Sequence, residues 1–302
     1  MTVDPQLFEE YRYLLFSIAY RMLGSAMEAE DMVQEAFLRY QNAGDKHIQS
    51  PKAYLTTIVT RLCLDQLKSA KTQREEYVGT WLPEPIFTAQ AASTEGQQME
   101  SESISMAFMV LLENLSPVER AVFLLREVFD YDYAAIAQIV NKSEANCRRY
   151  YHLAKGYLVE RRPRFEPASG EQFKLVERFM HAIVEGDIDG LTHVLAEDIV
   201  VYGDGGGKAP AARVPITGRE MVTRFLMGLN KLIPPDIHAE LHNVNGALSF
   251  VFWYGGKLSL VMNLTIVGDR VTAIHNVLNP DKLVFLNQSP PPEDGVELPS
   301  QN

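Results

Sequence analysis

Helical periodicity runs through the first part of the chain, stops between Glu75 and Ser105, and then returns. Residues 5–75 place apolar side chains three and four positions apart, which is typical of packed amphipathic helices. The interrupted stretch contains Trp81-Leu82-Pro83-Glu84-Pro85 followed by Ala, Ser, Gln, Gly and Glu. Proline and small polar residues favour an extended, flexible chain. The break therefore predicts two all-helical blocks joined by a largely flexible linker.

The linker contains one residue that does not suit a solvated chain. Trp81 is a large aromatic side chain in a segment that is otherwise polar or proline-rich. Aromatic side chains gain free energy when they leave water, so Trp81 more often packs on a neighbouring surface than remains exposed. We expect residues 81–85 to dock on another part of the chain.

The second helical block has the pattern of a helix-turn-helix. Ser116-Pro117-Val118-Glu119 is a capping box with proline at the first helical position. This box starts a helix that continues through Val128, and residues 131–140 form a short second helix that ends at Asn141-Lys142. Ser143 can then cap a third helix whose inner positions are Cys147, Tyr151, Ala154 and Leu158. A plain helical hairpin with a solvated basic face is the alternative. As a recognition helix, its outer face would offer DNA these side chains: Asn146, Arg148, Arg149, His152 and Lys155.

The first block ends in a helix with a basic end. Ser50 can cap this helix and Pro51 occupies its first turn. Lys68, Lys71 and Arg74 follow its last apolar position. A solvated helix end and a surface that lies along a phosphate backbone are equally consistent with this pattern.

Net charge at first argues against a nucleic-acid partner, because the 302-residue chain carries a formal charge of −11. From Val118 to Phe165, however, basic residues outnumber acidic ones. A local basic stripe in an acidic chain suits a protein that binds DNA weakly alone and depends on a larger partner. The two cysteines, Cys63 and Cys147, lie in apolar helical patterns and are expected to be reduced. No metal or redox motif is present, so no cofactor is expected.

No apolar run is long enough to cross a membrane, and the N-terminus lacks the pattern of a signal peptide. We therefore expect a cytoplasmic protein with no membrane partner.

The remainder of the chain predicts an α+β domain over residues 170–290. Helical patterns at residues 171–185 and 219–232 alternate with runs rich in Val, Ile, Phe and Leu. Asn245-Gly246, Gly255-Gly256 and Gly268-Asp269 are typical hairpin turns between these runs. The pattern predicts a curved antiparallel sheet. Residues 291–302, which are rich in Pro and Glu, are predicted to be a disordered tail.

Two patterns in this domain could indicate chemistry, but in each case a structural interpretation is better supported. Asp204, His275 and His193 could act as acid and base if they shared a pocket, but a lone strand histidine is more often structural. The loop Asp204-Gly205-Gly206-Gly207-Lys208 could cradle a phosphate, yet it lacks the spacing of a P-loop. A strand-exit loop is favoured. We predict no enzymatic activity, and ligand binding by this domain stays open.

The first 165 residues resemble the extracytoplasmic-function sigma factors, group IV of the sigma-70 family. The segment AEDMVQEAFLRY (29–40) is similar to their polymerase-binding helix, and residues 50–68 to their helix that reads and melts the downstream promoter element. Residues 115–158 are similar to their fourth region, which reads the minus-thirty-five element. The resemblance implies that Arg61, Asp65 and Lys68 lie near the non-template strand. It also implies that these residues face the largest subunit of RNA polymerase: Asp31, Gln34, Glu35 and Leu38.

The C-terminal block resembles the SnoaL-like domains, which are cone-shaped α+β barrels. Three motifs together resemble one subgroup of these sigma factors that carries a fused SnoaL-like extension. In that subgroup the extension is thought to replace a separate anti-sigma factor, so the resemblance implies regulatory contacts within the chain. The motifs are WLPEP, DGGGK and NPDKL, that is, Trp81, Leu82, Pro83, Glu84, Pro85, Asp204, Gly205, Gly206, Gly207, Lys208, Asn279, Pro280, Asp281, Lys282 and Leu283.

The sequence thus predicts a multidomain alternative sigma factor. It comprises sigma region 2 (1–76), a linker (77–105), sigma region 4 (106–165), and the regulatory SnoaL-like domain (170–290). Its expected partners are RNA polymerase core, promoter DNA and, as an open question, a small-molecule ligand. The alternatives are a one-component ligand-sensing regulator and a cone-domain enzyme fused to a DNA-binding module.

Overall fold

The structure is a computed structural model, and it describes residues 5–43, 48, 50–88, 103–161, 170–230, 234, 236–288 and 296–297. The chain divides into two compact units. Residues 1–76 and 109–162 form one, which we call the helical unit. Residues 77–108 and 163–302 form the other, the α+β unit. Within the described ranges, none of the helices combines the length and hydrophobicity that a membrane span requires.

The helices of the first part of the chain lie where periodicity predicts them. Their bounds are α1 Pro5–Leu23, α2 Ala26–Gln41, α3 Pro51–Glu75, α4 Met106–Leu112, α5 Pro117–Glu127, α6 Tyr133–Val140 and α7 Glu144–Arg161.

Each predicted cap is present. Ser50 accepts a hydrogen bond from the Ala53 amide at 3.3 Å, and Ser143 accepts one from the Asn146 amide at 3.2 Å. Ser116 and Glu119 form the complete capping box of α5. These caps are confirmed, and each satisfies backbone donors that a helix N-terminus leaves unpaired.

The two helical blocks pack together in the helical unit. Helices α1, α2 and α3 pack on one another, as do α5, α6 and α7, and α3 also contacts α5 and α6 while α1 contacts α5. Arg120 of α5 is 2% exposed and donates from Nη1 to the carbonyl of Met22 near the end of α1. A cation at a helix C-terminus is stabilised by the helix dipole. Burial lowers the pKa of Arg120 to about 9.

The α+β unit contains helices and a seven-stranded sheet. Its elements are α8 Gly170–Val184, α9 Ile188–Val194, β1 Leu195–Asp204, β2 Ile216–Thr217, α10 Arg219–Asn230, β3 His238–Val244, β4 Ala247–Tyr254, β5 Lys257–Val267, β6 Arg270–Val277, a 3₁₀ turn Pro280–Leu283, α11 Val284–Gln288 and β7 Val296–Glu297. The predicted hairpin turns are confirmed: Asn245, Gly246, Gly255, Gly256 and Gly268 all have positive φ.

The sheet order is β2-β1-β6-β5-β4-β3-β7. The prediction of an antiparallel sheet is wrong at one pair, because β1 runs parallel to β6. Parallel neighbours need a long connection, and here the chain passes through α10 and the whole meander β3–β6 before it returns beside β1. Such a pairing leaves no signal in either strand.

The two sheet faces have different neighbours. One face carries Val201, Ile274, Leu264 and Phe250, which pack with apolar residues of α8, α9 and α10 such as Phe179. Because side chains alternate along a strand, Asp204 and His275 belong to the opposite face. Both are fully or nearly fully buried.

Two segments predicted to be flexible contribute to the α+β unit. Residues 77–88 of the linker lie along it, and Phe87 forms a bridge with Val244. Residues 296–297 of the tail pair with Glu240 and Leu241 of β3. The prediction of a flexible linker is wrong at residues 86–88, and that of a disordered tail is wrong at residues 296–297, because backbone groups of β3 and its turn provide hydrogen-bond partners there. The other linker and tail residues, 89–102, 289–295 and 298–302, lie outside the described residues.

Candidate functional site

One face of α2 carries the predicted polymerase contacts. Asp31, Gln34 and Leu38 are exposed and Glu35 is half-buried, while the opposite face of the helix is buried. Spacings of three and four residues put these side chains on one surface. Leu38 is 51% exposed, so the surface combines acidic and amide groups with an apolar side chain. An apolar residue within a charged helix face is suited to contact a partner protein.

The predicted DNA contacts of α3 do not share one environment. Asp65 and Lys68 are exposed and form an ion pair at 2.8 Å. Arg61 instead donates from Nη2 to the carbonyl of Gln138 at 2.8 Å and from Nε to that of Ile139 at 2.9 Å. These carbonyls belong to the last turn of α6, so Arg61 caps the end of that helix.

The predicted recognition helix α7 exposes its basic face. Cys147, Ala154 and Leu158 are at most 1% exposed and hold the helix against its neighbours. Asn146, Arg148, Arg149, His152 and Lys155 are all exposed. Asp132 caps α6 and Asn141 ends it in the left-handed conformation, which forms the tight turn before α7. The geometry is that of a helix-turn-helix.

Two of these basic residues already have acidic neighbours. Arg148 pairs with Glu144 at 2.9 Å, and Lys155 lies 3.3 Å from Glu127. Both pairs are exposed, and exposed pairs contribute only about 0–1 kcal/mol. They can therefore exchange these partners for phosphate groups at little cost.

In the α+β unit, the end of β1 binds the start of the linker. Asp204 is 0% exposed. Its carboxylate accepts hydrogen bonds from the Leu82 amide at 2.7 Å, the Tyr77 hydroxyl at 2.5 Å and Lys282 Nζ at 2.7 Å. Burial, together with the bond to Asp204, raises the pKa of Tyr77 above its usual value. The carboxylate therefore has both the cationic partner and the hydrogen-bond donors that a buried negative charge requires.

Lys282 completes this cluster. It is 6% exposed, lies 4.0 Å from the centre of the Trp81 ring, and also donates to the Leu82 carbonyl. A cation over a tryptophan face is attracted by the ring quadrupole. The predicted docking of residues 81–85 is confirmed: Leu82, Pro83, Glu84 and Pro85 are buried. We call Tyr77, Trp81, Leu82, Asp204 and Lys282 the linker lock.

The glycines after Asp204 allow the chain to approach closely. A side chain at Gly206 would place its Cβ 2.2 Å from Asn279 Nδ2 and 3.0 Å from the Tyr77 hydroxyl, and a side chain at Gly205 would meet the Ala209 carbonyl at 2.2 Å. Lys208 pairs with Asp281 at 2.5 Å. The DGGGK loop is therefore filled by contacts with the chain itself. This packing gives the glycines a structural reason that does not involve phosphate.

The NPDKL motif forms the other side of the lock. The Asn279 side chain accepts from the Asp281 amide at 3.1 Å and donates to the Tyr77 hydroxyl at 2.8 Å. Leu283 is 1% exposed. Asn279 thus starts the 3₁₀ turn that presents Lys282 to Asp204.

Two residues that join the linker to the fused domain were not predicted from the sequence: Tyr77 at the start of the linker and Asn245 of the fused domain. Tyr77 lies just before the WLPEP motif and has no pattern of its own. Asn245 was assigned only to a hairpin turn, yet it accepts from the Ile86 amide at 3.2 Å and donates to the Ile104 carbonyl at 3.0 Å. Its 0% exposure could not be read from an Asn-Gly pair.

The candidate acid–base residues do not meet in one pocket. Asp204 is engaged in the linker lock. His275 is buried and stacks on Tyr202, with ring centres 5.1 Å apart. His193 is exposed on α9. Without a shared cavity these groups cannot act together on a substrate.

His275 predicts a pH-dependent stability. Burial lowers its pKa from 6.5 to about 4, so the folded state favours the neutral ring. The stability that depends on the neutral His275 ring is complete above pH 6.5 and is lost as the pH falls through about 4, because the unfolded chain binds the proton at a higher pH than the folded chain does. It amounts to about 3 kcal/mol.

The measurement is the free energy of unfolding of wild type and His275→Gln between about pH 7 and about pH 4. Wild type should lose more stability than the variant on acidification. His193→Gln, at an exposed position, serves as the control and should follow wild type. Parallel pH profiles for all three proteins would contradict the assignment.

Family comparisons match each block. The model of Sigma-70 region 2 matches residues 7–73, that of Sigma-70, region 4 matches residues 105–158, and that of the SnoaL-like domain matches residues 176–279. The ECF RNA polymerase sigma factor SigJ of Mycobacterium tuberculosis is 37% identical over 291 residues, which cover 91% of each chain. The chain belongs to the extracytoplasmic function (ECF) sigma factors.

Other relatives agree. A probable ECF sigma factor of Mycobacterium tuberculosis, SigI, is 30% identical over 279 residues, which cover 90% of this chain and 92% of the relative. The crystal structure of SigJ aligns with a TM-score of 0.74 at 33% identity, covering 93% of this chain and 98% of SigJ. ECF sigma factors direct transcription initiation by RNA polymerase, and the predictions of family and fold are confirmed.

Proposed function

We propose that this ECF sigma factor binds core polymerase through the α2 face and reads promoter DNA with α3 and α7, under the control of its own fused domain. Asp31, Gln34, Glu35 and Leu38 form the docking surface. The exposed basic face of α7 reads the minus-thirty-five element. Asp65 and Lys68, with Arg61 once it is free, contact the separated non-template strand.

The observation that carries the regulatory proposal is the linker lock. Lys282 and Asp204 form a buried ion pair. This pair holds the linker between the two sigma regions by the backbone amide and carbonyl of Leu82 and by the Trp81 side chain. Loss of one partner of a buried ion pair strongly destabilises the structure around it, because the remaining charge is buried without a partner. The fused domain can therefore hold or release residues 77–88 as a unit.

Control follows from where those residues stand in the chain. The linker joins α3 to α4. While its residues 77–88 are held on the fused domain, they cannot extend freely between the two promoter-reading regions. Because the fused domain is tethered to the linker, the contact forms at a high effective concentration. A signal that binds the locked and unlocked states unequally would shift their populations.

Arg61 supports a second element of this proposal. Its guanidinium is occupied by the end of α6, and earlier on the same helix Thr56 Oγ1 lies 2.9 Å from the Tyr131 hydroxyl. A residue that contacts the non-template strand cannot keep these partners. We infer that the packed helical unit is a resting state and that α3 leaves α6 when the promoter is engaged.

Arg61→Gln should loosen this packing. The variant loses charged hydrogen bonds to a helix end, each worth about 1.5–3 kcal/mol. Fluorescent labels at Glu10→Cys and Glu160→Cys would report a larger or broader separation of the two regions. The native Cys63 and Cys147 do not compete for label, because both are buried and burial raises the pKa of each thiol.

Lys68→Gln is the matched control. Lys68 is exposed and pairs only locally with Asp65 among the described residues, so its loss should weaken promoter opening without changing the label separation. If Arg61→Gln and Lys68→Gln gave the same separation as wild type, the resting-state inference would be wrong.

The sigma activity itself is tested by transcription with purified core polymerase. Core alone should produce no promoter-specific transcript, and addition of the chain should start transcripts at a defined site. A chain that binds DNA but neither binds core nor starts transcription would instead be a one-component regulator.

A further inference from the structure

A groove of about 670 Å³ lies between α9 and α10 in the fused domain. This volume is typical of sites for small molecules. The α10 side of the groove follows a repeat of four residues, so it is one continuous face of that helix. We call it the α9–α10 groove, and its lining residues are Ile188, Thr192, Arg219, Glu220, Thr223, Arg224, Met227 and Gly228.

One part of the groove is apolar. Ile188 is 57% exposed at its edge, and Met227 is half-buried against the core of the domain. Gly228 lies at the far end and adds no side chain to close it. An apolar ligand body placed here would remove Ile188 and Met227 from water, which is favourable.

Thr223 is one of the α10 residues that line the groove. Thr223 is 7% exposed, and its hydroxyl forms no hydrogen bond with any described residue. A helical threonine can satisfy its hydroxyl with the carbonyl four residues earlier, and Thr192 does so with Ile188 at 2.8 Å. This hydroxyl has almost no accessible surface, so a ligand oxygen reaches it only when the Thr223 side chain rotates toward the groove. The bond then recovers the free energy that an unsatisfied buried hydroxyl costs.

The charges of the groove favour an anion. Arg224 pairs with Glu220 at 2.6 Å, so these two charges offset each other. Arg219 has one hydrogen bond within the described ranges, from Nε to the Leu195 carbonyl at 3.0 Å. Its terminal nitrogens are left to form the two-bond contact that a guanidinium makes with a carboxylate.

We propose that the α9–α10 groove binds a small-molecule carboxylate with an apolar body. Arg219 holds the carboxylate, Thr223 rotates to bond one of its oxygens, and Ile188 and Met227 cover the apolar body. The site is separate in the chain from the linker lock and from the polymerase and DNA surfaces. The proposal therefore concerns ligand binding alone and stands whether or not the lock controls transcription.

The test is calorimetric titration of the full chain with octanoate. Octanoate should bind saturably, and octanol, which lacks the charge, should bind at least about tenfold more weakly. Arg219→Gln should weaken octanoate binding by at least about tenfold. Arg178→Gln is the matched control, because Arg178 is an exposed arginine of α8 that also donates from Nε to a backbone carbonyl. It should bind octanoate like wild type.

Thr223→Val separates a binding role from a structural one. Valine has the same shape without the unsatisfied hydroxyl, so the variant should be at least as stable to heat as wild type. It should nevertheless bind octanoate several-fold more weakly. The proposal is overturned if wild type shows no saturable octanoate binding, or if Arg219→Gln and Arg178→Gln bind octanoate equally.

Discussion

Lys282→Met will release residues 77–88 from the fused domain. The substitution keeps most of the side-chain volume but leaves the fully buried carboxylate of Asp204 without its cation. Loss of one partner of a buried pair costs about 3–5 kcal/mol. Hydrogen exchange of the Leu82 amide, which donates to Asp204, should accelerate by about two to four orders of magnitude if the whole penalty falls on linker docking.

Lys208→Met is the control for Lys282→Met. Lys208 also pairs with an aspartate, Asp281, but both side chains are more than half exposed. Such a pair is worth about 0–1 kcal/mol, so the exchange of the Leu82 amide should change little. Adding Asp204→Asn to Lys282→Met should recover part of the protection, because it removes the unpaired charge. Equal effects of Lys282→Met and Lys208→Met would refute the linker lock.

Leu38→Asp will abolish or strongly weaken binding to core polymerase. Leu38 is half exposed on the face of α2 that also carries Asp31, Gln34 and Glu35. A central apolar contact of an interface contributes about 2 kcal/mol or more, so affinity should fall at least about 30-fold. Because the side chain is already exposed, the fold should tolerate the change. Fluorescence anisotropy of the labelled chain with core measures the affinity.

Tyr254→Asp is the control for this substitution. Tyr254 is 50% exposed, close to the 51% of Leu38, but it lies on β4 of the fused domain. The Tyr254→Asp substitution introduces the same charge at an equally exposed hydrophobic position. Its affinity for core should stay near that of wild type. If Leu38→Asp bound core as tightly as Tyr254→Asp, the docking surface would have to lie elsewhere.

Local features of the fold could be read from the sequence. The caps at Ser50, Ser116 and Ser143 depend on atoms within three residues, and the Asn245-Gly246 turn depends on two residues that accept positive φ. Each signal is complete within one short window of sequence. The order of the longer helices and strands was therefore predictable, with errors of a few residues at their ends, whereas the two-residue strands β2 and β7 were not.

Features that join distant parts of the chain could not be read in this way. Nothing in β1 or β6 signals their parallel pairing. Lys282 and Asp204 are 78 residues apart, and neither carries a sign that it is buried. The resemblance indicated that the three motifs meet, but the hydrogen bonds that join them, and the part of Tyr77, required the fold.

Arg61 illustrates a different limit. The resemblance assigns it to DNA, and its charge and position on α3 agree with that assignment. In the structure the same charge caps α6. A sequence describes the side chain but not which of two partners it holds in a given state.

Promoter-specific run-off transcription with purified core polymerase tests the central claim most directly. Wild type, Lys282→Met and Lys208→Met would be compared at equal concentration, with core alone as the blank. Wild type and Lys208→Met should give transcripts from a defined start site at similar yield. The yield with Lys282→Met should differ from theirs by at least about threefold, in either direction. Equal yields from all three proteins would contradict control through the linker lock, and no transcript from any of them would contradict the sigma activity.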